Sequence, residues 1–228
     1  MRKGSVHIWL IRTDAAWPAD ETPLELSDEE RARLERLRSA DLKARFANSR
    51  GALRHLLGSY LGMPPREIRL GLARNGKPFV EPAQNAIDLR FNLSHTGDFA
   101  ALAFARGVEI GVDIQNLQRS SENSRQAIAL RCFSAYERAY LADLPGPSRP
   151  YHFCSVWAAK EAVVKAEGSG LSRDLSGFSV IDAAGPNAEI SVPGSAQRWY
   201  LQRFAVDETT AGALAAGAPI DELVCNRP

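Results

Sequence analysis

The chain has 228 residues, 45% of them hydrophobic and 24% charged, with a formal net charge of +1. Those values describe a soluble globular protein long enough to bury a real core, as one large domain or two small ones. They argue against a general polyanion or nucleic-acid binder, which carries a basic excess, so any positive patch has to be local.

The first expected element is a strand at 5–12, "SVHIWLIR", with Val6, Ile8 and Leu10 on one face. His7 and Arg12 interrupt its apolar run, which is too short for a secretion signal. Nowhere does the sequence approach the roughly 20 apolar residues of a membrane span. A loop rich in Pro, Asp and Thr follows, then a helix from "LSDEERARLERL", where Ser27 and Glu30 have the spacing of a capping box. Further helix runs through "RFANSRGALRHLLGSYLG" and closes at Gly62. "LARNGKPFV" reads as a strand with a turn at Asn75-Gly76. "LRFNLSHTGDFAALAFARGVEIGVDI" reads as a strand, a turn at 94–98, and two more strands joined at Arg106-Gly107.

The second half repeats that coarse order. A polar stretch at 115–126 leads into one helix, "AIALRCFSAYERAYLADL", ended by Pro145, and then a second through "SVWAAKEAVVKAEGSGLS". Strands "FSVIDAA", "AEISVP", "WYLQRFAV" and "GALAA" complete the chain. Helices followed by strands, twice over, predict an α+β fold of two similar halves. The boundary is expected near 104–107, giving residues 1–104 and 105–228. Cys132, Cys154 and Cys225 are odd in number and widely spaced, with neither a metal pattern nor a disulfide framework, so a reducing cytoplasm is the expected setting.

Several residue types suggest chemistry. In "VEIGVDIQ", period-two alternation puts Glu109, Gly111, Asp113 and Gln115 on one face, with Asp113 and Gln115 about 7 Å apart. An acid and an amide projecting together suit a hard, oxygen-ligated cation, with Gly111 clearing space for a ligand. A solvent-facing strand edge is the plain alternative. Glu137, near Phe133, Tyr136 and Tyr140, is either a partly desolvated proton-transfer group or a surface glutamate. Ser94 and His95 in the expected turn offer phosphate contacts. Lys43, Arg45, Arg50 and Arg54 form a basic helix segment, and Lys77 lies in the Gly76-Lys77-Pro78 turn. On the long helix, Lys160 projects into the apolar stripe, where a solvated lysine has no reason to be. Trp157, Glu161 and Lys165 stack at i, i+4, i+8; a Glu161–Lys165 salt bridge is the simple reading of the last two.

The ordered series "GKP" (76–78), "FNLSHT" (91–96), "GVDIQ" (111–115), "FSAYE" (133–137), "WAAKEAVVKAEGSGL" (157–171) and "FSV" (178–180) resembles the 4′-phosphopantetheinyl transferase family. The match is to its longer, single-chain Sfp-like form and spans about 27–180. The resemblance implies two similar α/β halves with coenzyme A in the cleft between them. It implies magnesium-dependent transfer of the phosphopantetheine arm to a serine of an apo carrier protein, of acyl, peptidyl or polyketide type, with release of 3′,5′-ADP. Carried over by motif, Asp113 and Glu161 look like magnesium ligands, with Gln115 where many members have a second acid. Lys160 and Lys165 look like pyrophosphate contacts, Ser94 and His95 like phosphate contacts, and Lys77 like a nucleotide contact. Arg45 and Arg50 match the basic helix that meets the 3′-phosphate. Glu137 would be the remaining acid of the metal site or the base. Glu161 or Glu137 would take the serine proton, Lys165 would assist the leaving group, and Trp157 would pack under Glu161. The segment 116–133, with Arg119, Arg125 and Arg131, is the candidate carrier-docking surface. A monomer is expected, since one chain holds both halves of the cleft. Competing readings are a non-catalytic coenzyme A binder weakened by Gln115, and a hydrolase of the coenzyme A pyrophosphate.

Overall fold

The computed structural model describes residues 1–15, 25–170, 173–181 and 185–227. The loop expected after the first strand lies partly outside them, as do Leu171 of the long helical motif and positions 182–184 of the "FSVIDAA" strand. In chain order come β1 (Ser5–Arg12), α1 (Asp28–Arg36), α2 (Ala40–Leu61), β2 (Leu70–Leu72), β3 (Pro78–Val80), β4 (Leu89–Thr96) and β5 (Phe99–Arg106). They are followed by β6 (Ile110–Asn116), α3 (Glu122–Cys132), α4 (Ala135–Asp143) and α5 (Arg149–Glu167). Strands β7 (Ala188–Ser191), β8 (Arg198–Ala205), β9 (Thr210–Ala216) and β10 (Glu222–Asn226) close the chain.

Two four-stranded sheets, ordered β10-β1-β5-β4 and β6-β9-β8-β7, pack face to face. Side-chain alternation explains the layering. In β5, Leu102 and Phe104 point one way and meet Leu53, Leu56 and Leu57 of α2. The intervening Ala101, Ala103 and Ala105 point the other way, toward Ile110, Val112 and Ile114 of β6 and Leu214 of β9. In β9, Ala211, Ala213 and Ala215 face Ala159, Ala162 and Val163 of α5. The order is therefore helix, sheet, sheet, helix: a mixed α+β fold, with small residues letting the layers approach closely.

Local signals act as expected at several points. Ser27 and Glu30 form the capping box of α1, and α2 ends at Gly62 with φ of 67°, the left-handed conformation that glycine tolerates. Three expectations are corrected, and one strand is an addition. Strand β4 continues through Ser94 and His95 to Thr96, so the turn is confined to Gly97 and Asp98. The helix expected through 127–144 breaks at Phe133, because Ser134 and Glu137 form a second capping box that starts α4. The described part of "FSVIDAA" pairs with no strand. Strand β10 was not expected at all; it returns to the first sheet and pairs parallel with β1.

Candidate active site

Strand β6 and helix α5 build the chemically distinctive region. The inter-sheet core takes Ile110, Val112 and Ile114, which turns Gly111, Asp113 and Gln115 to the opposite face, against α5. Gly111 makes room for protein, not ligand. A methyl group there would land on the carbonyl oxygen of Ala162 and the amide nitrogen of Ala166. The backbone of α5 thus rests directly on β6, and Asp113 lies beside the i, i+4 pair Glu161 and Lys165.

Asp113 is nearly fully buried, with partners for both carboxylate oxygens. Its Oδ1 accepts from Ser94 Oγ at 2.6 Å and from Lys165 Nζ at 2.7 Å. Its Oδ2 accepts from Gln115 Nε2 at 2.7 Å. Ser94 Oγ in turn accepts from the Ile114 amide, so its single proton is committed to Asp113. This corrects the expected phosphate role of the Ser94 hydroxyl: it orients the carboxylate.

Glu161 is less well served. Among the described residues, its Oε1 is buried without a hydrogen-bond partner. Burial raises its pKa, Asp113 raises it further, and Lys165 opposes both. Two carboxylates and a carboxamide converge here, one carboxylate oxygen lacking a donor. That set fits a hard divalent cation, which commonly takes one or two protein carboxylates and completes its shell with water and substrate oxygens. It contains two acids, and no cluster of three or more His, Cys, Asp or Glu suited to a metal occurs among the described residues.

The region opens on a cleft of about 1600 Å³ whose lining includes Phe46, Arg50, Lys77 and Asn92 on one side and Glu161 and Lys165 on the other. Arg50 lies 5.8 Å from the Phe46 ring centroid, and Arg33 lies 5.3 Å from the same ring. Burial lowers the Arg50 pKa; Glu30 opposes that, while Arg33 and Arg54 add to it. An anion would relieve this crowding of cations. Lys77 donates to Glu109 Oε2 and to the Ile110 carbonyl, each at 2.9 Å, so it bridges the β2–β3 hairpin to β6. Arg45 is held away from the cleft lining by Asp41 and Asp98 and by the Gly97 carbonyl. His95 is exposed. Loss of water around part of its ring, then the charges of Lys165 and Arg50, lowers its pKa against the pull of Asp113.

Lys160 and Glu137 are elsewhere. Both are fully buried and ion-paired at 2.9 Å. Lys160 Nζ also donates to the carbonyls of Leu175 and Phe178 and lies 4.2 Å from the Phe178 ring centroid. Glu137 accepts from the amides of Ser134 and Val180. Every donor and acceptor of the pair is engaged, which corrects the expected pyrophosphate contact for Lys160 and the expected metal or base role for Glu137. Trp157 packs against Phe133. Segment 116–133 is mostly helix α3, with Arg125 tied to Glu122 and to the Leu117 and Ser120 carbonyls.

Sequence reasoning missed Asn92. Its Oδ1 accepts from the Val112 amide at 2.9 Å, two residues before Ser94 receives Ile114. Asn92 and Ser94 thereby stand in for ladder bonds along the seam where β4 meets β6. Their i, i+2 spacing on one strand face was the available signal. Arg33 and Phe46 were missed as well; nothing in their local pattern distinguishes them from a solvated helix face.

A family model described as the 4′-phosphopantetheinyl transferase superfamily matches residues 109–217. A second, described as 4′-phosphopantetheinyl transferase, N-terminal, matches 20–106. The chain is 30% identical over 211 residues to the 4′-phosphopantetheinyl transferase HetI of Nostoc sp., covering 92% of this chain and 86% of that protein. The chain belongs to the 4′-phosphopantetheinyl transferase family. Another relative is the 4′-phosphopantetheinyl transferase Sfp of Bacillus subtilis, 30% identical over 77% of this chain and 79% of that protein. A holo-(acyl-carrier-protein) synthase of Bacillus anthracis, solved in complex with CoA (3′,5′-ADP), is similar over 47% of this chain and 93% of its own at 22% identity and a TM-score of 0.38. Among the described residues of this phosphopantetheinyl transferase family member, no helix is long and apolar enough to cross a membrane.

Proposed function

We propose that this protein transfers the phosphopantetheine arm of coenzyme A to a serine hydroxyl of an apo carrier protein. The serine oxygen forms a bond to the phosphorus bearing the arm, the bond from that phosphorus to 3′,5′-ADP breaks, and the hydroxyl proton passes to a carboxylate. Membership of the family supports the reaction class. Within the chain, the observation that carries the site assignment is the meeting of the buried Asp113 with Lys165 and the donor-poor Glu161, the last two of which line the cleft.

Asp113 and Glu161 would hold a divalent cation such as magnesium, with Gln115 beside them. When bound, that ion neutralises pyrophosphate oxygens and the charge developing at the attacked phosphorus. Glu161 is the base we favour over Glu137, whose oxygens are all engaged. Its Oε1, which lacks a hydrogen-bond donor among the described residues, leaves an oxygen to receive the proton. Lys165, partly exposed on the cleft wall, supplies positive charge to the departing 3′,5′-ADP. Arg50, with Arg33 across the Phe46 ring, offers guanidinium groups to a phosphate; Lys77 and His95 are further phosphate-facing candidates. The exposed Leu130 and the arginines of 116–133 are the surface we assign to the carrier. One chain supplies both walls of the cleft, in keeping with a monomer, and a cytoplasmic setting suits its three free cysteines.

Incubation with coenzyme A, magnesium and an apo carrier domain tests the reading. Intact-mass analysis is expected to show a carrier heavier by one phosphopantetheine, with one 3′,5′-ADP released per transfer. Release of 3′,5′-ADP without labelling would indicate hydrolysis, and neither product would indicate binding alone; both outcomes contradict transfer.

A further inference from the structure

The cation reading has a consequence for Lys165. Its ammonium already occupies the negative potential that a divalent ion would use. Lys165 Nζ donates to Asp113 Oδ1 at 2.7 Å and to the Val112 carbonyl at 3.3 Å, and its charge also acts on Glu161. Ser94 and Gln115 supply the other donors to Asp113. The buried charge of Asp113 is therefore compensated by the protein itself, as a buried carboxylate must be. With Gln115 neutral, the cluster has one negative charge fewer than the same lysine-paired site would have with a third acid at that position.

We propose that Lys165 is the resident counter-ion of Asp113 and antagonises the cation, yielding when a ligand phosphate gives the ammonium a second partner. This inference rests on the assignment of Asp113 and Glu161 as cation ligands. A cation bridging the two carboxylates enters the field of an ammonium bonded to one of them. It either displaces Lys165 from Oδ1 or binds against its repulsion, and both weaken binding by the protein alone. Lys165 sits on the cleft wall with about a quarter of its side chain exposed, so the ammonium can reach toward a phosphate without leaving its helix. Arrival of the phosphate withdraws the antagonist and tightens the cation site in the same event. The site then assembles fully only with the nucleotide present.

Binding of manganese ion alone, with no coenzyme A, distinguishes the possibilities. Free manganese would be counted by electron paramagnetic resonance in titrations of wild type, Lys165→Met, Lys165→Gln and Asp113→Asn, with circular dichroism to verify folding. Removal of the ammonium is expected to tighten manganese binding by about tenfold or more, the scale of a close charge pair, while Asp113→Asn loses it. Equal or weaker binding in both Lys165 variants, with loss in Asp113→Asn, would overturn the counter-ion role and leave the cation site standing. No Asp113-dependent binding in any folded variant would overturn the cation assignment and this inference together.

Discussion

Lys160 and Glu137 show how a charged pair can serve structure beside a reactive site. The three ammonium protons of Lys160 have acceptors in Glu137 Oε2, Leu175 O and Phe178 O. Removing one partner strands the other charge in the core, so Lys160→Met is expected to cost about 3–5 kcal/mol in urea unfolding. Lys160→Met combined with Glu137→Gln should recover much of that loss; a cost below about 1 kcal/mol for the single change would contradict the buried-pair reading. Gln115 makes the opposite case, a neutral group where charge would help. Gln115→Glu is expected to lower the magnesium concentration needed for half-maximal transfer, and equal requirements would refute that role. The sequence announced that Lys160 was anomalous, since it interrupts an apolar stripe. Its partner is harder to see: "SAYE" has capping-box spacing, yet from the sequence alone Glu137 reads as a site or surface acid. Helical periodicity within one element cannot show which distant backbone carbonyls a buried ammonium will reach.

Between elements, the decisive contact is α5 on β6. Gly111 permits it, and any Cβ would meet helix backbone, which cannot rotate aside as a side chain can. Gly111→Ala is therefore expected to destabilise the fold by about 1–3 kcal/mol and, by lifting Glu161 and Lys165 from Asp113, to reduce turnover more than coenzyme A binding. Unchanged stability and rate would show that α5 does not depend on this close approach. Alternation correctly placed Gly111, Asp113 and Gln115 on one face, but it could not say that a helix covers that face. The expected strand at 178–184 fails for a definite reason in its described part. Lys160 takes the Leu175 and Phe178 carbonyls and Glu137 takes the Val180 amide. Side chains from two helices thus satisfy backbone groups that a strand ladder would otherwise serve.

At the scale of the molecule, two helix-covered sheets meet across alanines and β-branched residues, and the cleft opens beside the seam where Asn92 and Ser94 join β4 to β6. The repeated order of helices then strands made this α+β architecture legible. The return of β10 to the first sheet was not, because pairing between residues more than 200 positions apart leaves no local trace. The resemblance names a set of acids and bases from sequence order, and the fold divides that set: Asp113, Gln115, Glu161 and Lys165 come together, while Glu137 and Lys160 form a separate buried pair. Shared use of one cation by Asp113 and Glu161 is tested most directly by a double-mutant cycle on carrier labelling at saturating coenzyme A. Asp113→Asn and Glu161→Gln are each expected to slow transfer by about 10²–10³-fold, with the double variant little worse than the poorer single one, because groups that act as a unit are not additive. Full multiplication of the two losses, or wild-type rates in either single variant, would contradict a common site.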